Sequence, residues 1–411
     1  MTHLPETPVV IVGAGAAGLM AAIFAAGGPW PVALLEGSDR PGKKILISGG
    51  GRCNVLPSQA APEDFYTDSS PYALAKILRA WPLAEVRGFF ERDLGIALRL
   101  EPETGKLFPV ANRARVVLEA LLGVAQARGV TLRTGARVCD LEPAGDRWRV
   151  VLADGARLDA ARVILATGGL SVPATGSDGT GLAIARRLGH VVVPPYPALV
   201  PLTCDNPAHR ALAGLSLHQV TVSAPLPGGK RVLRAAGGFL FTHRGYSGPA
   251  VLNVSHVAVR SLMLGGPRAA IQVQWTPLGA EAWDALLRSR KGPLLPLLRE
   301  PLTARLAGQL LAEAGLADAT GSQLRREDRL RLVAMLTRYE LLWSGHEGYR
   351  TAEVTGGGVA LDQVNPATLE SRHTPGLYLC GELLDAFGPI GGYNFLWAWV
   401  TGKIAGEGAR R

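Results

Sequence analysis

Gly13, Gly15 and Gly18 form G-A-G-A-A-G directly after the apolar run VVIV at 9–12, and LMAAIFAA follows. In dinucleotide recognition the first glycine permits a tight turn, the second lets backbone approach a pyrophosphate, and the third lets the helix pack closely on the strand. Ala16 and Ala17 then begin the helix, where unsatisfied amides at the positive end of the dipole meet phosphate. The next apolar run, VALLE at 32–36, ends in Glu36. A carboxylate at that point accepts hydrogen bonds from both ribose hydroxyls and repels a 2′-phosphate, so the pattern selects NAD or FAD.

Three further glycine clusters, at 49–51, 168–169 and 391–392, close predicted strands or turns, as expected of an extended ligand touched by backbone at several points. A second complete G-x-G-x-x-G within a βαβ unit is lacking, which argues against a stable NAD(P) domain and leaves NAD(P)H as a transient visitor. Cys53, in ISGGGRCN at 47–54, is the one thiol in such a motif, and Arg52 with nearby amides would lower its pKa. A small buried turn residue is the competing reading of Cys53. The eight histidines, His3, His190, His209, His218, His243, His256, His346 and His373, lack metal-ligand spacing, so no metal is expected. His243 and Arg244, in FTHRGYSG, stand in a glycine-bounded loop.

The elements that position these residues read as βαβ at the start of the chain, because VVIV and VALL are continuously apolar, as in parallel strands buried on both faces. Helical segments follow around 71–93 and 112–128, then VTLRT at 130–134 as a core strand. RWRVVL and DGARLD form a hairpin about Asp-Gly, and RVILATGG at 162–169 is a further buried strand. Asp178 caps the helix at 179–189. The proline-rich VVVPPYPALVPL at 191–202 reads as a stiff crossing, followed by a β-rich stretch containing HQVTVSAP, KRVLRA and RAAIQVQW and by helices at 279–344. Four segments result: 1–191 as the first part of a nucleotide-binding domain, 192–278 as a β-rich insertion, 279–345 as a helical subdomain and 346–411 completing the first domain.

Composition agrees with a globular protein of two or three domains. The 411 residues are 47% hydrophobic and 19% charged, which excludes a disordered chain. The formal net charge of +9 favours an anionic partner. Residues 9–35 carry no charge, yet their glycines and prolines divide them into strand, turn, helix and strand, so neither a membrane span nor a stable membrane partner is expected. Four separated cysteines without C-x-x-C fit reduced thiols in the cytoplasm.

The chain resembles the HI0933-like group of bacterial FAD proteins in the two-dinucleotide-binding-domain flavoprotein superfamily. The resemblance rests on VVIVGAGAAGLMAA (9–22), GKKILISGGGRCN (42–54), GKLFPVANRARVVLEALL (105–122), ATGGLSVPATGSDGTGLAIARRLGH (166–190), SGPAVLNVS (247–255), TGGGVALDQVNPATLESR (355–372) and GLYLCGELLDAFGPIGGYNFLWAW (376–399). It implies an α/β Rossmann-like FAD domain interrupted by a small β-barrel-like domain and a helical part. It places Gly13, Gly15, Gly18, Glu36, Lys44, Gly51 and Arg52 against noncovalent FAD, Val138 beside adenine, and Thr167 and Gly168 along the dinucleotide. Gly381, Glu382 and Asp385 would approach ribitol and pyrophosphate, and Gly392, Tyr393 and Asn394 the flavin ring.

The activity so implied is FAD-dependent two-electron transfer to or from a small molecule or ribosomal RNA. Alternatives are reduction of uracil to dihydrouridine in large-subunit ribosomal RNA, or a noncatalytic FAD-containing RNA-associated role. Arg325, Arg326, Arg329 and Arg331 supply a basic run for the RNA reading, although at 100° per residue they spread over more than one helix face.

Overall fold

The computed structural model describes residues 8–226 and 231–411, so His3 and the first residue of KRVLRA lie outside the described residues. The chain divides into two compact units, one of residues 1–197 with 353–411 and the other of residues 198–352. The architecture is α/β and Rossmann-type, with parallel and antiparallel sheets and helical regions.

The first unit is built on a five-stranded parallel sheet. Its spatial order is Leu377–Leu379, Arg162–Leu165, Val9–Val12, Val32–Leu35, Thr131–Arg133. Val9 pairs with both Arg162 and Val32, so the first strand is central. Val10 and Ile11 are fully buried, and each such side chain contributes about 1.5–3 kcal/mol of transfer free energy. Helix Ala16–Ala25 returns along the sheet, and the carboxyl-terminal helix Tyr393–Arg410 lies directly on it. Gly402 makes that approach possible, because a Cβ there would stand 2.4 Å from the Ala17 carbonyl oxygen.

Smaller antiparallel sheets flank this core. Val138–Ala144, Arg147–Leu152 and Arg157–Ala160 form one, with the Asp154-Gly155 turn between the last two strands. The proline-rich segment corrects the sequence reading: Val192–Ala198 is a strand paired with Val354–Val359 in a two-stranded sheet. Proline is tolerated where a strand lacks a neighbour on one side, since its missing N–H then breaks no ladder bond.

In the second unit the strands Leu202–Thr203, Ser216–Pro225, Val232–Phe241, Gly245–Ser247, Gln272–Gln274, Tyr339–Glu340 and Gly345–His346 form one antiparallel sheet. Its pairing order ends at Tyr339–Glu340 on one side and Gly345–His346 on the other. Phe239, Phe241, Tyr246 and Trp275 pack on this sheet with helix Pro249–Met263, and Trp283 joins the same core from helix Ala280–Ser289. Among the described residues no helix is long and apolar enough to cross a membrane.

Candidate functional site

The carboxyl ends of four parallel strands open onto one cleft of about 410 Å³ in the first unit. Val12, Leu35, the segment Ala166–Gly168 and the pair Gly381–Glu382 all reach its wall. In open α/β sheets ligands bind in this position, outside the carboxyl ends of the strands.

The glycine loop is shaped by its neighbours. Gly13 has φ +101°, and a Cβ on it would lie 2.6 Å from the Ala166 carbonyl oxygen. A Cβ on Gly18 would lie 1.8 Å from the Gly13 carbonyl oxygen, so Gly18 belongs to the packing beneath the loop and is absent from the cleft wall. Gly15 lines the cleft, and a Cβ there would meet nothing within 4 Å. Ala16 and Ala17 also line it, at the start of a helix that no side chain caps. The first amides of that helix are therefore available to an anion.

Glu36 is 9% exposed and reaches the cleft from the end of the second strand. Its Oε2 accepts from the Ala14 amide at 3.0 Å, and Oε1 accepts from the Ser38 amide at 2.8 Å and hydroxyl at 2.7 Å. The carboxylate thus ties the glycine loop to the second strand and retains further acceptor capacity, since its two oxygens offer about four lone-pair sites.

Val138, Thr167 and Gly168 line the same cleft, as do Lys44 and Glu382, whose Nζ and Oε2 are 2.8 Å apart. Glu382 also accepts from the Thr355 amide through Oε1 at 3.0 Å. At the other end stand Gly392 and Asn394, where helix Tyr393–Arg410 begins, again without a side-chain cap. Asn394 holds the preceding loop by accepting from the Gly388 amide and donating to the Gly388 carbonyl, both at 2.9 Å. The uncapped starts of helices Ala16–Ala25 and Tyr393–Arg410 share one cleft, and a third uncapped start, of helix Lys43–Gly51 after Gly42, lines it as well.

Other expected residues sit elsewhere. Gly51 and Arg52 are off the cleft wall; Arg52 pairs with Glu101 at 3.1 Å and lies 4.1 Å over the Phe108 ring. Asp385 is buried and accepts from the Thr67 hydroxyl at 3.0 Å and the Asp68 amide at 2.9 Å, while burial pushes its carboxyl above the ordinary value. It holds the 67–69 turn. Tyr393 packs edge-on against Phe65, and burial raises its hydroxyl pKa. Arg325 and Arg326 are exposed in the second unit, whereas Arg329 is drawn into an ion pair with Asp284 at 2.7 Å. His243 and Arg244 form the turn leading into strand Gly245–Ser247.

Of the two readings of Cys53, the structure fits the small buried turn residue and not the activated thiol. The side chain is 0% exposed, and burial pushes its thiol up to about 12, opposite to the lowering that Arg52 would cause. Arg52 turns to Glu101 instead. Cys53→Ala is therefore expected to keep the flavin content of the purified protein and to leave its flavin reduction rate within about twofold, since an inert buried thiol supplies no reactive thiolate. Absorbance and stopped-flow reduction check the two quantities separately.

Asp178, read from the sequence as a helix cap, lines the wall, as do Arg137, Ser48, Asn54 and Glu353, to which the sequence reading gave no role at the site. Arg137 and Asp178 form an ion pair on the wall, and Asp178 Oδ1 accepts from the Thr180 amide at 3.0 Å. Ser48, Asn54 and Phe395 line other parts of it. Glu353 also lines the cleft, immediately before strand Val354–Val359. It has exposed surface yet is crowded by protein atoms, as at a concave wall, and this burial raises its carboxyl pKa against the weaker opposite pull of Lys106 and Lys44. Its place just before the glycine run TGGG was the available signal.

Comparisons with known proteins agree with this geometry. The family model described as "HI0933-like protein Rossmann domain" matches residues 7–408. The chain is 33% identical over 406 residues to the ribosomal RNA dihydrouridine synthase of Escherichia coli K12, covering 95% of each chain. It is 34% identical over 412 residues to the 3-dehydro-bile acid delta(4,6)-reductase of Clostridium scindens, covering 97% of this chain and 98% of that one. In fold it is similar to the 3-ketosteroid-delta4-(5alpha)-dehydrogenase of Rhodococcus jostii RHA1, with TM-score 0.52 and 14% identity over 99% of this chain and 97% of that one. A cleft at the strand ends and a family match along nearly the whole chain lead to one assignment: the chain belongs to the HI0933-like family of the two-dinucleotide-binding-domain flavoprotein superfamily and is an FAD-dependent oxidoreductase.

Proposed function

We propose that the cleft of the first unit holds FAD noncovalently and that the enzyme reduces a carbon–carbon double bond conjugated to a carbonyl. The observation that carries the cofactor placement is the pair of uncapped helix starts on one cleft, after Gly15 and after Gly392, with Glu36 between the loop and the second strand. Gly13, Gly15 and the amides of Ala16 and Ala17 bind pyrophosphate, Glu36 accepts from a ribose hydroxyl at the lone pair that Ala14 and Ser38 leave open, and Val138 packs on adenine. Thr167, Gly168, Gly381 and Glu382 follow the dinucleotide. Gly392 and Asn394 meet the flavin end, where the helix dipole favours the negative charge of the reduced ring. When bound, FAD stores two electrons and releases them as hydride or singly. Lys44 and Glu382 orient and neutralise each other at the wall, and Glu353 holds the proton that the product needs.

The reaction class rests on what the two relatives' names share. Dihydrouridine formation saturates a uracil double bond beside a carbonyl, and a 3-dehydro-bile acid delta(4,6)-reductase acts on double bonds conjugated to a 3-keto group. Transient NAD(P)H is the proposed electron donor.

Glu36→Ala tests the cofactor placement. Loss of charge-assisted ribose contacts is expected to weaken FAD binding by about 1.5–3 kcal/mol. Titration of apoprotein with FAD measures this; unchanged affinity would remove the ribose from Glu36. Substrate is assigned by comparing ribosomal RNA nucleosides and small metabolites from a deletion strain and its complemented parent. Loss of dihydrouridine identifies an RNA base as substrate, accumulation of a conjugated enone identifies a small molecule, and neither change overturns the proposed reaction class.

A further inference from the structure

The second unit contains a buried polar cluster unused by the flavin chemistry. Cys204 follows strand Leu202–Thr203, His209 lies in the short helix Pro207–Arg210, and Tyr246 lies in strand Gly245–Ser247. Glu313 ends helix Ala304–Glu313, and Tyr339 comes from strand Tyr339–Glu340. These five residues are distant in sequence but connected by hydrogen bonds.

The Tyr246 hydroxyl stands 3.0 Å from Cys204 Sγ and 2.9 Å from the Leu342 carbonyl oxygen, and it also contacts His209 Nδ1. The Asn206 amide donates to the same sulfur at 3.4 Å. His209 Nε2 lies 2.8 Å from the Tyr339 hydroxyl and 3.2 Å from Glu313 Oε1. Tyr339 donates to Glu313 Oε2 at 2.9 Å, which orients the carboxylate. A proton can therefore pass from sulfur through the Tyr246 hydroxyl to an imidazole whose far nitrogen faces a carboxylate. Among the described residues no group of three His, Cys, Asp or Glu side chains is placed to hold a metal ion.

Cys204 also lines a separate cleft of about 340 Å³, together with Arg268, Leu342 and Trp343. The residue is 1% exposed, so only a very small reagent reaches the sulfur. We propose that Cys204 is a redox modification site at which hydrogen peroxide oxidises the thiol to a sulfenic acid, with Tyr246 and His209 relaying the proton.

The step balances. Tyr246 and His209 take the thiol proton, and the sulfur attacks one peroxide oxygen. A sulfur–oxygen bond forms as the oxygen–oxygen bond breaks. The same relay returns the proton to the departing hydroxide, which leaves as water, while the transferred oxygen keeps its hydrogen in the sulfenic acid. Sulfur loses two electrons and peroxide gains them.

Electrostatics support the same assignment. Burial works against charge at both Cys204 and His209, but the hydrogen bonds within the cluster outweigh it: the thiol lies below its ordinary value and the imidazole is raised to about 9. Glu313 is held below the carboxylate range by His209, Gln309 and Tyr339. Cys53 and Cys380 have the opposite environment, in which burial raises each thiol, and Cys139 is exposed without such a cluster.

The FAD-loaded protein is treated with hydrogen peroxide for short intervals, the peroxide is removed with catalase, the protein is unfolded in denaturant containing dimedone so that every sulfenic acid is reachable, and the labelled cysteine is located by peptide mass spectrometry. Label on Cys204 before Cys139 is expected, and label confined to Cys139 overturns the proposal. Tyr246→Phe keeps the ring but removes the relay, and is expected to slow labelling of Cys204 by about tenfold or more. An unchanged rate in the folded variant overturns the role of the cluster. If that variant fails to fold, the order of labelling in the wild-type protein decides alone.

Discussion

Gly15→Ala and Gly18→Ala, three residues apart in one motif, are expected to fail in different ways. At Gly18 the added Cβ would stand 1.8 Å from the Gly13 carbonyl oxygen, a backbone atom with no rotamer to escape through. The helix must move off the strand, so Gly18→Ala is expected to destabilise the apoprotein by about 3 kcal/mol or more, the upper range of overpacking. At Gly15 the backbone is extended, with φ −82°, and the new methyl meets no protein atom within 4 Å. Apoprotein stability should then stay within about 0.5 kcal/mol, as for substitutions that disturb no contact. In the proposed placement the methyl nevertheless fills the space through which backbone would approach pyrophosphate. FAD affinity is expected to fall by about a hundredfold, near 3 kcal/mol. Denaturant unfolding of apoprotein and FAD titration separate the two effects. Wild-type affinity in Gly15→Ala would exclude pyrophosphate from this turn.

The same contrast explains what the sequence could reveal. The βαβ start is written locally: continuous apolar runs, glycines at fixed offsets and an acidic strand end state strand, turn, helix and strand within 36 residues. The strand at 377–379 was also readable as a buried run followed by glycine, but its pairing with 163–165 was not. Nor were side-chain destinations. Arg52 adjoins Cys53 in sequence, yet its guanidinium is satisfied by Glu101 and the Phe108 ring, contacts created only when the sheet of Leu56–Pro57, Lys106–Pro109 and Leu98–Glu101 forms. Asp385 sits in an acidic signature but turns inward to Thr67 and Asp68, more than 300 residues earlier. The strand made from VVPPYPA was hidden because its prolines oppose strand propensity, while pairing with Val354–Val359 is a long-range effect.

Glu353→Gln is expected to separate chemistry from cofactor binding. The residue lines the cleft but makes no hydrogen bond or ion pair among the described residues, unlike Glu36 and Glu382, whose oxygens are engaged with backbone, Ser38 or Lys44. Burial raises its pKa, which extends the protonated form to higher pH than an ordinary glutamic acid. A protonated carboxyl at the wall can deliver the proton that accompanies hydride addition to a conjugated double bond. Gln keeps the shape and a donor N–H but has no proton to transfer. The variant should retain FAD and its reduction by the proposed donor, NAD(P)H, while substrate reduction falls by about 10²–10⁴-fold, the usual contribution of a general acid. The pH dependence has a definite sign: wild-type substrate reduction is present below the raised Glu353 pKa and declines as pH passes above it, and this limb is absent from the variant. Stopped-flow measurement of flavin reduction and of reoxidation by substrate, each across pH, distinguishes the half-reactions. A variant with wild-type reoxidation and the same pH limb would assign proton delivery to another group.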